Sequence, residues 1–182
     1  HDELGQNLTA LKTDLTVLSI AQRNNENTLV EGLKENAKAM YDSVYQIMHH
    51  LRPRELDELG LEQALKEGRF NSLLSKASIK YVAEINLSSA ISDEHQTAIY
   101  RICQEAVTNC IKHSTATELR LSLLAHEQYI CLTIMDNGKT KTTLQESGGY
   151  GLSFIEERVI ALGGTCTVTE IDGFKIEVYF DI

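Results

Sequence analysis

A helix that is apolar on its back and carries Glu, Asn and His in register on its front constrains this chain more than any other stretch. Residues 104–114 read QEAVTNCIKHS. Glu105, Asn109 and His113 recur every four positions, so they share one helical face and drift about 40° per step. Arg101 extends the stripe by one turn, while Ile102, Cys103, Ala106, Val107, Cys110 and Ile111 occupy the other faces and read as core. The plain alternative is a solvated face. Two later features weigh against it. One is a strand ending in Asp136-Asn137-Gly138, and the other is Gly149-Tyr150-Gly151-Leu152 at the start of a further helix.

The chain has 182 residues, room for one domain or two small ones. Its net charge of -9 provides no basic footprint, so no direct nucleic-acid partner is expected. The four cysteines, 103, 110, 131 and 166, fall at apolar positions without C-x-x-C or zinc spacing. They read as reduced core residues, as suits the cytosol. There is no long apolar run and no signal peptide. The chain begins at His1 in the midst of a helical pattern, and the expectation is a fragment with further sequence upstream.

Residues 1–23 place Leu4, Leu8, Leu11, Leu15 and Leu18 at steps of four and three. After a polar turn at 24–27, a second helix over 28–51 continues the seam with Leu29, Leu33, Ala37, Met40, Val44, Ile47 and Leu51. Together they form an antiparallel hairpin. One hairpin lacks apolar partner surface, so a homodimeric four-helix bundle is expected. Pro53, the one proline, ends the second helix. Residues 52–60 read as a linker, with domains at 1–57 and 58–182.

The second half predicts a helix over 61–76, weakened at Gly68, and a strand alternating at Ile79, Tyr81, Ala83, Ile85 and Leu87. Ser92 is the N-cap of a helix running to His113. Two strands follow, one through Leu119, Leu121 and Leu123, the other through Ile130, Leu132 and Ile134. A helix over 152–162 stops at Gly163-Gly164, and two last strands turn at Asp172-Gly173. The fold class is α+β: the hairpin, then a largely antiparallel sheet with helices on one face.

The chemistry of the second half points to a nucleotide. A buried carboxylate at a strand end can accept a hydrogen bond from an adenine amino group. Glycines let backbone approach phosphate, and Glu105 and Asn109 offer the hard oxygen ligands that Mg²⁺ prefers. QEAVTNCIKHS, DNG and GYGLSFIEERVIALGGT, in that order, resemble the N box and the two glycine boxes of the Bergerat-type ATP-binding domain of sensor histidine kinases. The resemblance implies ATP and Mg²⁺, with Asn109 as a metal ligand and Glu105 as a second ligand or water-positioning residue. It places Lys112 and His113 at the phosphates and Asp136 at adenine. Gly138, Gly149, Gly151 and Leu152 then shape the pocket.

HDELGQNLTAL and LRPRELDELGLEQAL extend the resemblance over nearly the whole chain, to sensor kinases of the NarX/NarQ, UhpB and DesK type, with UhpB-like members nearest in wording. His1 sits about 50° from the centre of the leucine seam, where a partner domain can reach it. Asp2 can orient the imidazole or take its proton, and Gln6 lies one turn beyond Asp2. The resemblance makes His1 the phosphoacceptor and Asp2 and Gln6 a phosphatase motif. It also implies a swing of the ATP-binding domain about the linker. The implied partners are a second copy and a response regulator with helix-turn-helix output. The implied place is the cytoplasmic side of a bacterial inner membrane, reached only through an upstream region. One position departs from the pattern: Thr140 stands where the first glycine box has its second glycine, and the following loop is short. The competing expectation is a degenerate kinase, a dimeric scaffold that binds a regulator.

Overall fold

The computed structural model describes residues 51–139, 150–170 and 173–182. The expected hairpin, with His1, Asp2 and Gln6, lies outside the described residues, as do Thr140, Gly149 and Asp172. Contacts divide the chain into two compact units, His1–Arg52 and Pro53–Ile182, and the second is described here by itself.

Pro53 is buried and opens α1 (Arg54–Glu67), as its fixed φ and missing N–H allow at a helix start. The stretch read as a linker is therefore helix from Arg54 onward. Gly60, at φ 72°, kinks α1 and supplies a backbone conformation that a side chain disfavours. The helix expected over 61–76 is in fact two. It breaks at Gly68, where an added Cβ would strike the Ala64 carbonyl oxygen, and restarts as α2 (Arg69–Lys76). Glu55 holds this corner. Its Oε1 accepts the Arg69 N–H at 2.7 Å, and its Oε2 accepts the Tyr100 hydroxyl.

The remaining elements are β1 (Lys80–Leu87), α3 (Asp93–His113), β2 (Glu118–Ala125), β3 (Tyr129–Asp136), α4 (Tyr150–Ala161), β4 (Thr165–Thr169) and β5 (Lys175–Asp181). Ser92 caps α3 as expected, its hydroxyl accepting the His95 N–H at 3.3 Å. Asp93 and Glu94 at the start of α3 and Lys112 and His113 at its end complement the helix dipole. His95 is half-buried and set edge-on to Phe180 at 5.0 Å. At the end of α4, Gly163 takes φ 71°, and the Gly164 N–H returns to the Val159 carbonyl at 2.9 Å.

The strands form one sheet in the order β1-β2-β3-β5-β4. Three pairings are antiparallel, while β1 lies parallel to β2 because α3 is the crossover between them. Register aligns Leu121 with Ile134 and Ile176, and Leu123 with Leu132 and Val178, so one face of the sheet is continuously apolar. That face packs with Ile99, Ile102, Cys103, Ala106 and Val107 of α3 and with Ile155 and Val159 of α4. The opposite face alternates to exposed residues such as Arg120, Ser122, Met135 and Glu177. All four cysteines are free thiols, with 103 and 110 buried and 131 and 166 half-buried. Burial pushes the Cys166 thiol up to about 11.

The Glu55 corner yields a contrast. Glu55→Ala leaves the Tyr100 hydroxyl and the Arg69 N–H without their acceptor, and should lower unfolding free energy by about 1–3 kcal/mol in urea titration. Glu58→Ala removes only an exposed i,i+4 ion pair with Arg54 and should stay within about 0.5 kcal/mol of the parent.

Candidate nucleotide site

Among the described residues only two polar side chains are buried, Ser114 and Asp136, and they bond to each other. Ser114 is the C-cap of α3 and Asp136 ends β3. The Ser114 hydroxyl donates to Asp136 Oδ1 at 2.9 Å, and the Gly138 N–H donates to the same oxygen at 2.7 Å. Burying a polar group without partners is costly, so this pairing is what lets a carboxyl sit 4% exposed at the edge of an apolar sheet. Oδ2 makes no hydrogen bond among the described residues and is not one of the sealed, unpartnered polar atoms there. It remains an accessible acceptor.

Two glycines permit the close backbone packing around Asp136. A Cβ on Gly138 would collide with Ser114 Oγ and the Ala116 nitrogen. A Cβ on Gly173, whose φ is 131°, would collide with the Asp136 carbonyl oxygen. The whole turn is tied to the segment that leads from α3 into β2. Asn137 Oδ1 accepts the Thr117 and Glu118 N–H groups at 2.9 and 3.0 Å. The Thr115 N–H donates to the Lys139 carbonyl at 3.1 Å, and the Lys139 N–H donates to Thr115 Oγ1 at 3.0 Å. Asn137, between Asp136 and Gly138, is thus a structural clamp.

The polar stripe leads back from this turn along α3. Asn109 lies about 6 Å and Glu105 about 12 Å behind His113 at the helical rise. Glu105, Asn109 and His113 are half-buried, Lys112 is exposed, and Ile102, Cys103, Ala106, Val107 and Cys110 are buried behind them. Arg101 donates to Gln104 Oε1 at 2.8 Å, so it joins its neighbour on the helix. No group of three or more His, Cys, Asp or Glu that could hold a metal occurs among the described residues. The donor set of Glu105 and Asn109 fits Mg²⁺, which binds through few protein oxygens and keeps waters and phosphate oxygens. Gly151 and Leu152 lie in the first turn of α4, whose start is at Tyr150 rather than Leu152. Gly149 lies outside the described residues. Sequence reasoning missed Ser114 and Asn137. A serine after a helix and an asparagine in a D-x-G turn look like ordinary cap and turn residues, and their partners lie 22 and 20 positions away.

Residues 94–182 match the family described as histidine kinase-, DNA gyrase B-, and HSP90-like ATPase. The chain is 30% identical over 181 residues to the signal transduction histidine-protein kinase/phosphatase UhpB of Salmonella typhimurium, covering 98% of this chain and 36% of that one. Over nearly its whole length the chain is similar to sensor histidine kinases. The sensor protein VraS of Staphylococcus aureus is 30% identical over 189 residues, with 98% of this chain and 52% of VraS covered. The chain thus spans about a third to a half of the length of these relatives. In fold it is similar to the Acinetobacter baumannii histidine kinase AdeS, at a TM-score of 0.57 and 16% identity over 97% of this chain and 95% of that one. The described unit is the ATP-binding domain of this family, an α+β fold with a mixed sheet.

Gly138→Ala tests the close approach at Asp136. The added methyl should displace Ser114 or the turn and lower stability by about 1–3 kcal/mol, read as a fall in melting temperature. A melt unchanged within error would show that the turn relaxes freely.

Proposed function

We propose that the chain is the kinase core of a two-component sensor, which transfers the γ-phosphoryl of ATP to His1 and from there to an aspartate of a response regulator. The observation that carries this reading is the Asp136 carboxyl, buried and clamped through one oxygen and open at the other, at the head of the Glu105-Asn109-His113 stripe. Such an acceptor suits the exocyclic amino group of adenine. Asn109 and Glu105 would hold Mg²⁺, which when bound would neutralise charge on the phosphates. Lys112 and His113 at the end of α3 would face the phosphate oxygens, and Gly149, Gly151 and Leu152 would line the pocket near α4.

Phosphoryl transfer asks little covalent work of a protein, so positioning carries most of the catalysis. An imidazole nitrogen of His1 attacks the γ-phosphorus, the bond to the bridging oxygen breaks, and ADP leaves. Asp2 accepts the ring proton. The N–P bond then breaks as the regulator's carboxylate takes the phosphoryl group. Gln6 would position the water that hydrolyses the resulting acyl phosphate, in line with the kinase/phosphatase name of the UhpB relative. The seams at 4–18 and 29–51 support a homodimer built on the hairpin. No described helix is long and apolar enough to cross a membrane. Attachment to a bacterial inner membrane would come from sequence upstream of His1, with this core on the cytoplasmic side.

Incubation with γ-labelled ATP and Mg²⁺ should give an acid-labile, base-stable label on the chain. The label should vanish in His1→Gln and fall at least tenfold in Asn109→Asp. Phosphate release without label would turn the reading to a plain ATPase. Absence of nucleotide binding would favour the regulator-binding scaffold suggested by Thr140.

The two activities should also separate. Gln6→Ala should keep autophosphorylation within about twofold while slowing loss of phosphate from the regulator tenfold or more. Equal loss of both would remove Gln6 from the hydrolytic step.

A further inference from the structure

The hydroxyl of Ser114 has a fixed polarity. The Ala116 N–H donates to Ser114 Oγ at 3.1 Å, occupying it as an acceptor. Its own proton is therefore directed to Asp136 Oδ1, 2.9 Å away. The same Oδ1 receives the Gly138 N–H at 2.7 Å. Two donors, one from the C-cap of α3 and one from the turn after β3, pin one oxygen of the carboxyl, which otherwise rotates readily about its terminal torsion. The relay runs from backbone amide to hydroxyl to carboxyl, three groups joined in one hydrogen-bond network. A Cβ on Gly138 would strike Ser114 Oγ and the Ala116 backbone, so the hydroxyl and the glycine are closely packed.

Building on the ATP-site reading, we propose that Ser114 is a positioning residue that sets the nucleobase specificity of the site. With Oδ1 saturated by donors, the nucleobase meets Oδ2 alone, as a pure acceptor with one orientation. That group favours a purine bearing a 6-amino group and rejects a 6-oxo purine, whose oxygen would face the carboxyl oxygen. Without the hydroxyl, the carboxyl keeps only the Gly138 N–H. It can turn, admit a water into the space left by the hydroxyl, and present a bridging donor to a 6-oxo group. The consequence is a loss of discrimination as well as of affinity, because an unpaired polar group is what rejects the wrong ligand.

The test is equilibrium binding of Mg-ATP and Mg-GTP to the full chain, by displacement of a fluorescent adenine nucleotide and by direct calorimetry. Ser114→Ala should weaken ATP about tenfold and narrow the ATP-over-GTP ratio by a similar factor. Ser114→Thr, which keeps the hydroxyl, should restore the ratio to within about threefold of the parent. If the alanine variant does not fold, Ser114→Cys, a weak donor of similar size, serves in its place with the same expected direction. Equal weakening of both nucleotides, or an unchanged ratio in a variant with parental melting behaviour, would overturn the role of Ser114. Failure of the parent chain to bind ATP would instead overturn the ATP-site reading on which it rests.

Discussion

The hydrogen bond between Ser114 and Asp136 is the constraint on which the site depends. A carboxyl placed at the end of a central strand, with apolar residues on the same face, is stable only if its desolvation is offset by donors. Those donors come from the C-terminal cap of α3 and from the glycine two residues on. The bond thereby fixes the end of the longest described helix against the end of β3. The helix face bearing Glu105 and Asn109 takes its height and rotation from that anchor. Burial of Ile102, Cys103, Ala106 and Val107 against the sheet supplies the bulk stabilisation, but apolar packing is non-directional. The directional part comes from the polar turn.

The helical stripe, the Ser92 cap, the alternating strands and the Gly163-Gly164 stop were legible because each rests on local periodicity or on a residue with a single backbone role. Glu105, Asn109 and His113 are half-buried along the helix. Less legible were features decided over distance. Nothing local in residues 80–87 says that β1 runs parallel to β2; the crossover through α3 decides it. The split at Gly68 depends on crowding by the Ala64 carbonyl one turn back and on the Glu55 side chain. His95 looks like an exposed residue in a first helical turn until Phe180, from the last strand, comes to lie beside it.

The functional motif behaves in the same way. Asp136 and Gly138 are recognisable as a pattern, yet the reason for the glycine is not conformational freedom. It is the close approach of Ser114 and Ala116, from a segment some twenty residues earlier. Asn137 occupies the position that the pattern leaves open, and here it satisfies two backbone N–H groups at the start of β2. Motif and framework are therefore interleaved residue by residue: Asp136 keeps one carboxyl oxygen open, and Asn137 ties the turn to the start of β2.

The pairing of Thr115 with Lys139 bears on the turn that holds the Asp136 carboxyl. It closes the clamped turn at the last residue before 140, the Lys139 carbonyl accepting the Thr115 N–H and the Lys139 N–H donating to the Thr115 hydroxyl. Among the described residues, the hydrogen bonds of the Asp136 carboxyl all come from residues 114 and 138, so its pose is set before position 140 is reached.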